Sequence, residues 1–214
     1  MRKLILPILL NLFAFGIVFG QTSPAPKIVN QPTFESKKKP PLDLSSLVGL
    51  KGQTAPTFML PSMNGTEYNL EKMRGQIVAI NLWGTFCPPC ITEMPELNSL
   101  VKKYKDKNVV FLAPTPDDKA VLEGFLQKYR FDYQVLPNGF GVVEKYAPHT
   151  KSVDPQKKGG FMMLLPTHLV IDQTGVVTYH EWGFRKDTAA LISQEIEKLL
   201  TKNKSKINFG SGNF

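Results

Sequence analysis

The feature that most constrains this chain is an apolar run delivered straight into a pair of cysteines. Ile77 to Trp83 is nearly continuous apolar sequence, with Asn81 its one polar residue. Gly84-Thr85-Phe86 follows, and then Cys87-Pro88-Pro89-Cys90. A run of this kind suits a central strand buried on both faces. Pro88 sits where a helix would begin, because the first helical position has no use for an N–H. Cys90, Met94, Leu97, Val101 and Tyr104 then recur at helical spacing down to Lys105. The order is therefore strand, tight connection, helix, with the chain's two cysteines astride the helix start.

That placement has chemical consequences. Residues three apart in a first helical turn lie about 5–6 Å apart, a separation that suits the Cα atoms of a disulfide. The pair can close without moving the backbone. Unpaired N–H groups and the macrodipole favour negative charge at a helix N-terminus. Such a position lowers a thiol pKa from about 8.5 by roughly one to several units. Cys87, at the helix start, is expected to be the more exposed sulfur and the attacking nucleophile. Cys90, one turn inside, is expected to be the resolving thiol that breaks a mixed disulfide. Pro88 and Pro89 remove two N–H donors beside the thiolate, which should make the pair more reducing. Two competing readings are a structural disulfide and half of a zinc site. Zinc would need two of His149, His168 and His180 beside both sulfurs, and no spacing supports that. No metal and no cofactor are expected.

The remaining sequence sets the context. Residues 1–20 read as a signal peptide: Met1-Arg2-Lys3 is basic, Leu4 to Phe19 is apolar, and Val18 and Gly20 suit a cleavage after Gly20. Export places the mature chain in an oxidising, periplasmic compartment. An uncleaved segment would instead anchor it to the membrane. Residues 21–50, with five prolines and Lys37-Lys38-Lys39, read as an extended linker, either a spacer or an unselected leader. Residues 51–201 form the domain, and 202–214 a flexible basic tail. The net charge of +8 belongs to the ends, since 51–201 carries only +1. Nucleic-acid binding by the fold is not indicated. Within the domain, Phe58 to Leu60 is an edge strand and Asn64-Gly65 a turn. Val109 to Ala113 is a second buried strand, and Val121 to Tyr129 a second helix. Thr167–Asp172 and Val176–Trp182 form a hairpin through Gln173-Thr174-Gly175. Asp187 caps a last helix whose inner face carries Ile192, Ile196, Leu199 and Leu200.

Over about residues 52–201 the chain resembles the thioredoxin superfamily, and more narrowly the exported TlpA/ResA-type thiol–disulfide oxidoreductases. The motifs are Ala55-Pro56-Thr57-Phe58, Val78 to Trp83, Cys87 to Pro95, and Leu165-Pro166-Thr167-His168-Leu169-Val170-Ile171-Asp172 with Gly175. The resemblance implies an α/β, thioredoxin-like fold with a mixed central β-sheet and helices on both faces. It implies a cis Pro166 facing the cysteines, which would leave the preceding backbone free to pair with a substrate strand. Leu165 and Trp83 are the other expected substrate contacts, although core packing fits Trp83 equally. It implies protein disulfides or dithiols as substrates, a membrane thiol-electron carrier as donor, and reductive work such as cytochrome c maturation.

Departures from the pattern are informative. Asn81 stands where cytoplasmic thioredoxins carry a buried Asp, so that proton acceptor is missing. Glu93, three residues after Cys90, matches the TlpA/ResA type and would accept or donate the Cys90 proton. Its competing reading is simple helix-dipole complementarity. Phe86 replaces the usual Trp before the first cysteine. His168 reads as a strand residue rather than a base. Residues 148–163 are extra sequence before Pro166, expected to border the substrate groove. A thiol peroxidase of the same fold, and a non-catalytic adaptor with a structural disulfide, are the alternative functions.

Overall fold

The computed structural model describes residues 49–151 and 161–210. The expected signal peptide, and the linker as far as residue 48, lie outside the described residues. In chain order, β1 (Met59–Pro61) and β2 (Glu67–Asn69) lead through a 3₁₀ turn, Leu70–Met73, to β3 (Ile77–Leu82). Then come α1 (Pro88–Lys103), β4 (Val109–Pro114), α2 (Lys119–Leu126), β5 (Gln134–Leu136) and α3 (Phe140–Tyr146). β6 (His149–Lys151), β7 (Phe161–Met163), β8 (Thr167–Ile171), β9 (Val177–Trp182) and α4 (Thr188–Gly210) complete it.

Five strands form one sheet in the order β5-β4-β3-β8-β9. β3 runs parallel to β4 and β4 to β5, while β8 is antiparallel to both β3 and β9. The sheet is therefore mixed, as expected. β3 lies at its centre and every one of its residues is buried, which is why its sequence carries almost no polar group. Its alternate side chains serve two cores. Ile77 and Ala79 face Met94, Leu97 and Leu100 of α1 and Ile192, Ile196 and Leu199 of α4. Val78, Ile80 and Leu82 face Val142, Val143 and Tyr146 of α3 and the Phe58, Leu70 and Met73 cover. Helices thus lie on both faces.

Four elements lie beyond the sequence expectation, all between the second helix and the final hairpin: β5 and α3, and the strands β6 and β7. Residues 148–163 begin and end as paired strands, His149 opposite Met163 and Lys151 opposite Phe161; 152–160 lie outside the described residues. α4 continues to Gly210, past the Leu200 end of its apolar stripe. Among the described residues no helix is long and apolar enough to cross a membrane.

Candidate active site

Cys87 is the N-cap of α1, and Pro88 and Pro89 occupy its first two positions. Its sulfur is bonded to that of Cys90, with the Cα atoms 5.4 Å apart. Cys87 is 7% exposed and Cys90 1%, the expected ranking, although both are buried. The Cys87 N–H donates to the Gly84 carbonyl at 3.1 Å, closing the turn between strand and helix. At Gly84 a Cβ would meet the Phe86 ring at 2.5 Å, so any larger residue would have to push that ring aside. That ring covers the turn and is 62% exposed.

A second loop holds this turn. Asp117, between β4 and α2, accepts the Thr85 N–H at 2.7 Å and the Thr115 hydroxyl at 2.9 Å on the same Oδ2. Sequence reasoning passed over Thr115 and Asp117. The only available signal was Thr115-Pro116-Asp117-Asp118, where Asp118 also caps α2 through the Val121 N–H.

Beneath the disulfide sits a polar cluster inside the α1 and α4 core. Glu93 lies on the second turn of α1, is 3% exposed, and no acid occupies the first turn. A helix-dipole role fits poorly, since the residue lies past the first turn and its carboxyl is buried in the core. The Asn81 side-chain amide donates to Glu93 Oε1 at 3.3 Å. His168 Nε2 is 3.1 Å from the same oxygen, an ion-pair distance, yet the angle is wrong for a hydrogen bond. Asn81 on β3 and His168 on β8 are register partners, so the sheet itself sets them side by side. Tyr179 on β9 stands opposite Val170, two residues beyond His168 on the same face. Burial pushes the Tyr179 phenol up to about 12, with the Glu181 and Glu93 carboxyls among further causes. Tyr133 is driven up likewise by burial, and then by Glu93.

The Leu165-Pro166 bond is cis. The Pro166 carbonyl accepts the Gly183 N–H at 2.8 Å. Leu165 is half-buried against the core that contains both cysteines. Trp83 requires a correction. It is fully buried, so it cannot contact a substrate. Its ring packs on Phe125 and Phe131, and its Nε1–H donates to the Ala113 carbonyl at 3.3 Å. Among the described residues, no group of three or more His, Cys, Asp or Glu side chains could hold a metal ion.

Comparison with known proteins adds three findings. The model of the AhpC/TSA family matches residues 51–180. A thiol-disulfide oxidoreductase ResA of Bacillus cereus is 33% identical over 128 residues, 59% of this chain and 66% of that protein. The thioredoxin-like protein YneN of Bacillus subtilis (strain 168) is 30% identical over 135 residues, covering 61% and 71%. The chain thus spans just under two thirds of the length of that ResA protein. Among solved structures, a candidate thiol:disulfide interchange protein DsbE of Chlorobium tepidum superposes with a TM-score of 0.55 at 27% identity. That match covers 70% of this chain and 97% of the other. A candidate protein disulfide isomerase of Bacteroides thetaiotaomicron, at 20% identity and a TM-score of 0.60, shares the fold over 72% and 92%.

Proposed function

The chain belongs to the AhpC/TSA family of thioredoxin-like proteins, and from that premise we propose that it is an exported thiol–disulfide oxidoreductase that reduces protein disulfides. One observation carries the reading: the only two cysteines form a disulfide at the start of a helix, with the N-cap sulfur the more accessible. In the dithiol form the Cys87 thiolate attacks a substrate disulfide. One substrate sulfur leaves as a thiolate and the other is held in a mixed disulfide. Cys90 then loses its proton and attacks Cys87 Sγ. The second substrate sulfur departs and the Cys87–Cys90 bond re-forms. Two electrons have passed to the substrate, and an external thiol donor restores the dithiol. Glu93, one helical turn from Cys90, is the base for that proton. Leu165 and Pro166 offer the backbone edge against which a substrate strand would lie.

Export is supported by the basic start and apolar run of residues 1–20. A membrane thiol carrier as donor, a periplasmic setting and cytochrome c maturation follow from the family resemblance. The test is catalysed reduction of insulin disulfides by dithiothreitol. Cys90→Ser should accumulate mixed disulfides through Cys87, because attack survives and resolution does not. Absence of insulin reduction, or equal trapping by Cys87→Ser, would overturn the assignment. Peroxide consumption in the same preparation would point to the thiol peroxidase reading.

A further inference from the structure

The cluster under the disulfide holds more polar groups than a single proton acceptor needs. Among the described residues, the buried side-chain atoms without a hydrogen-bond partner are Asn81 Oδ1, Glu93 Oε2, both ring nitrogens of His168, and Tyr179 Oη. All of them belong to residues on the α1 and α4 face of the sheet. Leaving a buried polar atom unpaired destabilises the fold. Scattered through a core, such atoms are defects. Here Asn81 and His168 meet at the Glu93 carboxyl, a site whose members can change partners as protons move.

We propose that His168 is a positioning residue for thiol exchange, and that Glu93 and His168 together hold the proton that Cys90 gives up. The proposal rests on the oxidoreductase reading and extends it to a residue outside the cysteine-bearing helix. As Cys90 Sγ bonds to Cys87 Sγ, the Cys90 proton passes to Glu93, and a small turn of the imidazole brings His168 Nε2, 3.1 Å from Oε1, into line to share it. Asn81, donating to the same Oε1, fixes that oxygen's position. When an external dithiol reopens the disulfide, the proton returns to Cys90. The proton thus stays within the buried core that holds Cys90 throughout the exchange. His168 suits this role because an imidazole is the side chain that exchanges a proton most readily near neutral pH. The other groups around the pair are Cys90, one helical turn from Glu93, Tyr133 ahead of β5, whose phenol Glu93 influences, and Tyr179 on β9, whose hydroxyl feels Glu181, Arg185 and Asp187 more than Glu93. The two phenols hold their protons throughout the neutral range, since burial raises both.

The experiment follows resolution of a preformed mixed disulfide across pH 5 to 9 in the full chain. His168→Gln keeps a polar side chain and removes the titration. It should slow resolution by about tenfold to a hundredfold, less than the roughly 10²–10⁴ attributable to an acid–base group itself. It should also abolish one inflection in the pH profile. Alkylation of Cys87 by iodoacetamide should change less than about twofold, because that sulfur lies outside the pair. His168→Gln combined with Glu93→Gln should be no slower than Glu93→Gln alone, the signature of two residues acting as a unit. A wild-type rate and profile in His168→Gln, or multiplicative effects in the double variant, would overturn the proposal. A second measurement needs no variant: the labelled His168 imidazole, followed by NMR at fixed pH, should change protonation or tautomer when the disulfide is reduced. An identical imidazole in both redox states overturns the proposal while insulin reduction continues. Wild-type protein that leaves insulin oxidised overturns the oxidoreductase reading itself.

Discussion

Reducing the Cys87–Cys90 bond should leave the fold standing, and the structure sets the size of the effect. The bond joins residues at a sequence separation of three. A loop this short restricts the unfolded chain little. The chain-entropy relation gives about 1.9 kcal/mol for four residues, against about 3 kcal/mol for a 15-residue loop. An opposing term appears on reduction. The freed Cys87 sulfur is the N-cap of α1, where the helix dipole stabilises a negative charge by about 0.3–2 kcal/mol. The two contributions differ in sign, so the oxidised form should be more stable by between about 0 and 2 kcal/mol. For a domain of this size each kcal/mol shifts Tm by about 2–4 °C. The dithiol should therefore melt no more than about 8 °C below the disulfide form. Circular dichroism melts or urea titrations, with and without dithiothreitol, supply the comparison. A loss above about 4 kcal/mol, outside the range of these two terms, would identify the bond as a structural staple. The redox reading would then fail.

Other perturbations separate packing from chemistry. Trp83→Ala should cost about 3–5 kcal/mol by denaturant titration, since it empties a fully buried site between Phe125 and Phe131; a cost below about 1 kcal/mol would contradict the core placement. Asp117→Ala removes the acceptor for the Thr85 N–H and the Thr115 hydroxyl. Hydrogen bonds to a charged group are worth about 1.5–3 kcal/mol each, so insulin reduction should slow severalfold while the disulfide still forms; an unchanged rate would mean the turn does not need this anchor. His180 accepts the Leu50 N–H on Nδ1 at 2.8 Å, and its Nε2 faces the Tyr146 carbonyl at 3.1 Å. Burial holds it below its ordinary 6.5, against smaller opposing effects of that carbonyl and of Glu181. The unfolded chain thus binds the extra proton first, so this contribution is complete above pH 6.5 and is lost as pH falls toward the folded value. The slope is at most about 1.4 kcal/mol per pH unit. His180→Phe should flatten the slope below pH 6.5, and equal slopes in variant and wild type would refute the assignment.

The parts legible in the sequence were those with local causes. β3 announced itself because a strand buried on both faces carries almost no polar residue. α1 did so because Pro88 and the Cys90-to-Tyr104 spacing are helical signals needing no distant partner. β5 and α3 were not legible. Gln134–Leu136 has only three residues, and the N-cap of α3 is Gly139, which offers no side-chain bond. Glu93 was singled out by its spacing from Cys90, but its environment was not. The Asn81–His168 pairing depends on the register of β3 against β8, which no local pattern encodes. Trp83, at the end of a buried strand, satisfied both a surface and a core reading until Phe131 and Ala113 were placed around it.

The same separation in sequence bears on how the molecule assembles. Cys87, Cys90 and Glu93 sit within seven residues of one helix, so they come together as soon as that helix forms. Their partner His168 arrives only when β8 docks on β3, after a loop of more than eighty residues has closed and its entropy has been lost. An external disulfide can therefore accept the two electrons and oxidise the thiols as soon as α1 forms, without fixing any long-range topology. With no third cysteine in the chain, a premature bond is also the native one. A refolding chain has no scrambled disulfide to undo, and redox chemistry in the half-assembled state cannot trap it.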